Sequence, residues 1–297
     1  MRSYDVTPGG TASVLALADY FQEAAGRHAD ALGVSMQELL DEGKAWVLAH
    51  LHLQLERRPR WNDTIEIETW PSGLDRLFAR REFVFRDEAG TRLAQGTSAW
   101  LVIDVERRRP LRPPSVLYDI DTPDRPRPVD ADLDDLPAPD RVDRTRDFTV
   151  RYHDLDLNRH VNNVRYLEWA LETLPAEVLD EYQCLALALQ FEAEATLGDP
   201  VRAIAALHHD GGTLRVRHRL AHADSDETLA RAATTWRQCE AGGYAVTGGR
   251  RHCWAISSTN AWNERGSCPR IVRVSWCCAF VAFRPRFWNV SYMRRKS

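Results

Sequence analysis

The chain has 297 residues, room for one large domain or two ordinary ones, and 44% hydrophobic against 28% charged residues excludes a disordered or fibrous class. The formal net charge of −4 hides a split: residues 238–297 carry ten Lys/Arg and two Asp/Glu, while the rest carries 29 basic and 41 acidic residues, a balance that argues against nucleic acid as the partner. Only Cys184 lies before residue 238, so that part of the chain has neither a disulfide framework nor a thiolate metal site, and this thiol is read as plain packing.

At the start, "MRSYDVTPGG" lacks the basic and apolar regions of a secretory leader. The longest apolar run, "IVRVSWCCAFVAF" (271–283), is short for a membrane span and carries Arg273, so a cytoplasmic location is expected. Val14, Leu17, Phe21, Ala25, His28 and Leu32 recur at helical spacing and predict a first helix. "LHLQLE" (51–56) and "TIEIET" (64–69) alternate strictly, and "RREFVFRD" and "AWLVID" complete a set of predicted strands. Residues 118–146 are rich in Pro and Asp and predict an extended connector without chemistry. Val161, Val164, Leu167, Leu171 and Leu174 predict a second helix, and "LALALQFEAEA" (185–195), "PVRAIAAL" (200–207) and "TLRVRHRL" (213–220) a second set of strands. From about 238 every pattern stops. This tail holds four of the ten tryptophans and five of the six cysteines, and Cys253, Cys268 and Cys277-Cys278 lack the C-x₂-C pairing of a zinc site. Residues 238–297 are read as an anomalous tail, non-native or disordered.

The two halves echo each other. "LAQGTSAW" (93–100) and "LARAATTW" (229–236) match at a shift of 136 residues, and at the same shift Leu51, Leu53 and Leu55 meet Leu187, Leu189 and Phe191. A constant shift over about 50 residues indicates internal duplication. The unit is a helix followed by an antiparallel meander, used twice, with the helix covering the apolar face of its sheet.

One stretch carries chemistry: "HDLDLNRHVNNVRYLEW" (153–169). The helix is expected to start near His160 or Val161, with Asp154, Asp156 and Asn158 in the loop that feeds it. One cap needs one residue, yet Asp154, Asp156, Asn158, His160, Asn162 and Asn163 are all polar. A helix N-terminus can polarise a carbonyl or hold an oxyanion. A carboxylate beside an imidazole can take a proton from water, and an amide can orient that water. These parts suit hydrolysis of an activated acyl group. There is no Gly-rich phosphate loop, no dinucleotide fingerprint and no G-x-S-x-G elbow.

"DLDLNRHVNNVRYLEW" closely resembles the signature of the acyl-acyl-carrier-protein thioesterases, the FatA/FatB type and their bacterial relatives. "AWVLAHLHLQLERRPRWNDTIEIETWPSG" and "FARREFVFRDEAGTRLAQGTSAWLVIDVERRRP" resemble the family's N-terminal part. The resemblance covers about 1–237. It implies an α+β double hotdog fold: an N-terminal hotdog (1–117), the linker (118–146) and a C-terminal hotdog carrying the motif (147–237). It places the family's catalytic residues on Asp156, Asn158 and His160, and a fourth, a glutamate in the sheet, on Glu194. Read from the sequence alone, Glu194 is equally a solvated strand residue like Glu192. Plant members carry a cysteine after that glutamate; here the residue is Ala195, which closes a cysteine-nucleophile reading. At the shift of 136, Glu194 corresponds to Arg58, and the first helix entrance, "VTPGGTASVLALADYF", has no Asp/Asn/His set. One site per chain is expected, with the first half supplying acyl-chain cavity and structure.

The implied reaction is hydrolysis of an acyl-acyl-carrier-protein thioester to free fatty acid, with no metal and no organic cofactor. Attack by water and direct attack by a carboxylate both remain open. The acyl carrier protein is acidic, which makes Arg57, Arg58, Arg60, Arg107, Arg108 and Arg109 docking candidates. An acyl-CoA thioesterase of the same fold, a hotdog dehydratase and a non-catalytic acyl-binding module are the alternatives. Chain-length preference and oligomeric state, including a homodimer, are not legible.

Overall fold

The computed structural model describes residues 1–120, 122–131 and 135–239. The first half contains α1 (Val14–Ala31), α2 (Met36–Asp41), β1 (Lys44–Leu55), β2 (Ile65–Asp75), β3 (Phe78–Asp87), β4 (Arg92–Asp104) and β5 (Arg109–Leu111). The second contains β6 (Arg144–Thr149), α3 (Asn163–Leu171), α4 (Ala176–Glu181), β7 (Tyr182–Phe191), β8 (Pro200–Asp210), β9 (Thr213–His222) and β10 (Thr228–Gln238). Short 3₁₀ turns at Ser3–Asp5 and Tyr152–Asp154 precede α1 and α3.

The expected α+β arrangement is present, and both meanders join into one ten-stranded antiparallel sheet. Its order is β2-β3-β4-β1-β7-β10-β9-β8-β6, with β5 on β4. The halves meet where β1 pairs with β7, and there His52 faces Ala188. Those two residues are themselves 136 apart, so a local two-fold axis of the duplication passes between them. Leu51 and Leu53 pair with Leu189 and Leu187, and all four are buried beneath the helices. Burying each such side chain is worth about 1.5–3 kcal/mol.

The predicted stripe of α1 buries Val14, Leu17, Phe21 and Ala25. The Phe21 and Phe83 rings lie 3.8 Å apart, which pins the helix to β3. Ser13 caps α1 by accepting the Ala16 amide. Both helices pack on the same face of the sheet, because strict alternation puts every second apolar residue there.

The Pro/Asp-rich segment is more than a spacer. Ile120 joins the cluster of Val34, Leu39, Val102 and Leu117 on the helix side, and residues 125–136 make specific contacts with β2, β7 and β10 on the other sheet face. Arg125 lies 4.1 Å over the Trp70 ring and pairs with Glu68. Gln190 donates to Asp135 and accepts the Leu136 amide, both at 2.7 Å. Arg231 donates to the Leu136 carbonyl. Buried polar groups on this face need partners, and the linker supplies some of them. β6 begins at Arg144, three residues before the expected start of the second unit.

The reading of residues 238–297 as an anomalous tail falls, beyond Cys239, outside the described residues. Gln238 is the last residue of β10, and the Cys239 amide donates to the Glu181 carbonyl at 2.9 Å.

Candidate active site

Asp156 organises the loop ahead of α3. Its Oδ1 accepts the amides of Asn158 at 2.8 Å and His160 at 3.2 Å. Its own amide donates to the His160 carbonyl at 2.8 Å. Arg159 turns the chain through a left-handed backbone with φ 65°, unusual outside glycine. The aspartate therefore closes an Asx-type turn on itself and fixes where His160 emerges.

Glu194 reaches that loop from β7, but not as a strand residue. The ladder ends at Phe191; Glu192 and Ala193 both donate to the Leu229 carbonyl, and the chain peels away from the sheet. Ala195 then accepts the Val161 amide at 3.0 Å and donates to the buried Tyr166 hydroxyl at 3.0 Å. Burial raises the Tyr166 pKa well above its ordinary value, so the phenol stays neutral as an acceptor. Clamped by these bonds, Glu194 places Oε2 3.4 Å from His160 Nε2. The structure thus brings Asp156, Asn158, His160 and Glu194 to one place, and it corrects the expectation that the glutamate lies within the sheet.

Three of the six polar groups at the helix entrance are structural. Asp154 is buried, and its carboxylate is taken by the Arg151 guanidinium and amide. Asn162 caps α3 by accepting the Val164 amide at 2.9 Å. Asn163 donates to Gln22 of α1 at 2.9 Å, which ties the two halves together. The helix begins at Asn163, two or three residues later than expected. Its Val164 and Arg165 amides are already bonded to Asn162, so the expected row of free helix N–H groups is partly occupied.

All four site residues line a cavity of about 990 Å³. It runs from the site along α1, past Gln22, Ala25, Ala29 and Leu32, with Trp46 and Trp100 also in its walls. The first half therefore supplies most of the apolar walls. A cavity of this size, with apolar walls and a few convergent polar groups, suits a long apolar ligand with one reactive end.

The six arginines proposed for docking separate. Arg57 is held by Asp87 at 2.6 Å and Arg107 by Asp104 at 3.1 Å. Arg58 is half-buried, with its Nε enclosed. Arg60 and Arg109 are exposed and have no carboxylate partner among the described residues. Arg108 is exposed too, yet it lines the cavity and reaches Glu194 Oε2 at 3.9 Å. Sequence reasoning missed this contact and those of Gln22 and Tyr166. The only signal for Gln22 was a polar residue beside an apolar stripe.

The first half carries the same entrance without the Asp/Asn/His set. Its bridge Val6↔Ala12 matches Leu155↔Val161 at a shift of 149 residues. At that shift Thr7, Gly9 and Thr11 stand where the second half has Asp156, Asn158 and His160.

Two family models account for most of the chain: the acyl-ACP thioesterase N-terminal domain over residues 1–120 and its C-terminal domain over 138–238. The chain belongs to the acyl-ACP thioesterase family. It is 28% identical over 253 residues to the dodecanoyl-acyl-carrier-protein hydrolase of Cinnamomum camphora, covering 80% of this chain and 66% of that one. It is 29% identical over 252 residues to the palmitoyl-acyl carrier protein thioesterase of Cuphea hookeriana, covering 80% and 60%. The chain thus spans less than two thirds of the length of these relatives. Among solved structures, the 12:0-ACP thioesterase of Umbellularia californica is 27% identical with a TM-score of 0.70, covering 80% of this chain and 95% of that one. An acyl-ACP thioesterase of Bacteroides thetaiotaomicron, 23% identical with a TM-score of 0.70, shares the fold over 80% and 94%. The chain carries the α+β double hotdog of this family. The C-terminal family region contains all four site residues, while the N-terminal region contains Arg108 and most of the cavity wall.

Proposed function

We propose that this protein hydrolyses the thioester of an acyl-acyl-carrier protein and releases a free fatty acid. The observation that carries the reading is the His160–Glu194 pair at 3.4 Å in the wall of the 990 Å³ cavity. With the acyl chain in the cavity, the thioester carbonyl lies beside the pair. Glu194 and His160 take a proton from water, and the oxygen attacks the carbonyl carbon. Collapse of the tetrahedral intermediate breaks the C–S bond, and the proton passes to sulfur. The products are a carboxylic acid and the carrier's free thiol. Asp156 holds the loop through its Oδ1 and leaves a second carboxylate oxygen to act on the water, which the Asn158 amide orients. No step requires a metal or an organic cofactor. Arg60 and Arg109 are the exposed cations best placed to meet an acidic carrier without first giving up an ion pair.

The test is thiol release from acyl-carrier-protein and acyl-CoA substrates over a range of chain lengths. Faster release from the carrier-bound substrates is expected. An equal or greater rate with acyl-CoA would make the protein an acyl-CoA thioesterase. An enoyl product without thiol would assign dehydration instead.

A further inference from the structure

Arg108 is a first-half residue that reaches Glu194. It sits in the turn between β4 and β5 with a left-handed backbone, φ 50°. A non-glycine residue in that conformation costs about 1 kcal/mol or more and persists only where the surroundings hold it there. Both of its sequence neighbours are fixed. Arg107 is tied to Asp104 through its amide at 2.8 Å and its guanidinium at 3.1 Å, and Arg109 opens β5, paired with Asp104 of β4. The turn therefore presents Arg108 in a set direction, and its side chain lines the cavity beside the site. Its Nη1 lies 3.9 Å from Glu194 Oε2, the same oxygen that lies 3.4 Å from His160 Nε2.

Glu194 needs such a partner. It is half-exposed, on a segment that has left the sheet, and is anchored by its neighbour Ala195 rather than by its own backbone. Its carboxylate has only two charged contacts among the described residues, His160 from one side and Arg108 from the other. An exposed ion pair of this length adds little stability. It can still decide which way a carboxylate points, and a misplacement of about 1 Å can cost on the order of 10²-fold in rate.

We propose that Arg108 is a positioning residue: from the first half, it holds the Glu194 carboxylate against His160. This rests on the thioesterase reading above and revises the docking role first given to Arg108. The two roles differ in what they predict. A docking residue acts on KM, only with the carrier, and salt masks it. A positioning residue acts on kcat with any acyl thioester.

The experiment compares wild type, Arg108→Gln and Arg108→Lys on two substrates of equal chain length, the acyl-carrier protein and the acyl-pantetheine thioester without carrier. We expect Arg108→Gln to lower kcat about tenfold or more on both, with KM for the carrier substrate within about twofold. We expect Arg108→Lys to recover most of the loss, because the charge remains. A loss confined to KM with the carrier, unchanged kcat, or a kcat loss that lysine does not rescue would each overturn the proposal. If wild type releases no thiol from either substrate, the functional reading fails and this inference falls with it. Normal wild-type turnover with an unimpaired Arg108→Gln overturns the inference alone. Retention of the thermal midpoint in Arg108→Gln shows that the chain folds, and the lysine variant carries the comparison if glutamine does not.

Discussion

Arg58 and Glu194 occupy the same place in the two halves of the sheet. Each is followed by a residue whose carbonyl accepts the first bridging amide of a helix entrance: Pro59 from Ala12 at 2.7 Å, and Ala195 from Val161 at 3.0 Å. One copy carries a cation there and the other a carboxylate facing His160. At the matching helix entrances the first half has Thr7, Gly9 and Thr11 and the second has Asp156, Asn158 and His160. The duplication preserved the backbone frame in both halves and the titratable set in one.

The site residues divide by how they act. His160 touches Glu194 with its side chain, whereas Asp156 also fastens the loop with its Oδ1. His160→Ala is expected to lower kcat by roughly 10²-fold or more with little change in thermal midpoint. Asp156→Ala is expected to lower kcat by at least as much and to loosen residues 156–160 as well, read as faster amide exchange at Asn158 and His160. Wild-type turnover in both variants would contradict the assignment.

Gly96 of β4 pairs with Leu53 of β1 and leaves no room for a Cβ. A Cβ there would lie 2.3 Å from Leu53 Cδ2 and 2.8 Å from the His52 carbonyl oxygen. The backbone oxygen cannot swing aside as a side chain can. Gly96→Ala is expected to destabilise the fold by about 1–3 kcal/mol, the usual scale of overpacking. Equilibrium denaturation would measure it, and an unchanged midpoint would show that β1 and β4 separate more easily than this geometry implies.

One buried and one partly buried imidazole predict acid sensitivity. Burial pushes His218 down to about 3 and His52 down to about 4, against an ordinary value of 6.5. The unfolded chain therefore binds more protons than the folded one below pH 6.5. Their contribution is complete above 6.5 and is lost as pH falls through the window between 6.5 and 3–4, at up to about 1.4 kcal/mol per pH unit for each group. His218 hydrogen-bonds only to the Thr173 and Thr234 hydroxyls among the described residues. In His218→Gln the slope of unfolding free energy between pH 6.5 and 5 is expected to fall by about one proton. An unchanged slope would mean that His218 is protonated in the folded state.

Much of the fold was legible because alternation and helical spacing are local properties. β2, β8 and β9 start within a residue of their alternating runs, whereas β1 begins at Lys44, seven residues before its run at 51–56. The end of β7 was not legible. Alternating burial continues through Ala193 and the buried Ala195 after the chain has left the ladder at Phe191. Asp156, Asn158 and His160 could be found because they sit within five consecutive positions. Arg108, Gln22 and Tyr166 could not, since each acts through a contact between segments far apart in sequence. The polar excess at the helix entrance overstated the chemistry, because Asp154, Asn162 and Asn163 serve the loop, the cap and the joint between halves.

The last pairing of β10 lies at Gln238, and Cys239 contributes one backbone bond to Glu181. A chain cut after Cys239 keeps all ten strands, α1, α3 and the four site residues. Its thiol-release rate is expected to match that of the full chain within about twofold. A large loss would show that residues 240–297 contribute to the active protein.

A single hydrolytic site, in the second half, is the proposal. It is tested most directly by thiol release from a carrier-free acyl thioester with Glu194→Gln and Arg58→Gln side by side. Glutamine keeps the size of the glutamate and removes its charge and basicity. Glu194→Gln is expected to lose at least about 10²-fold in kcat, and Arg58→Gln to stay near wild type. Equal losses in the two variants, or wild-type turnover in Glu194→Gln, would contradict the account.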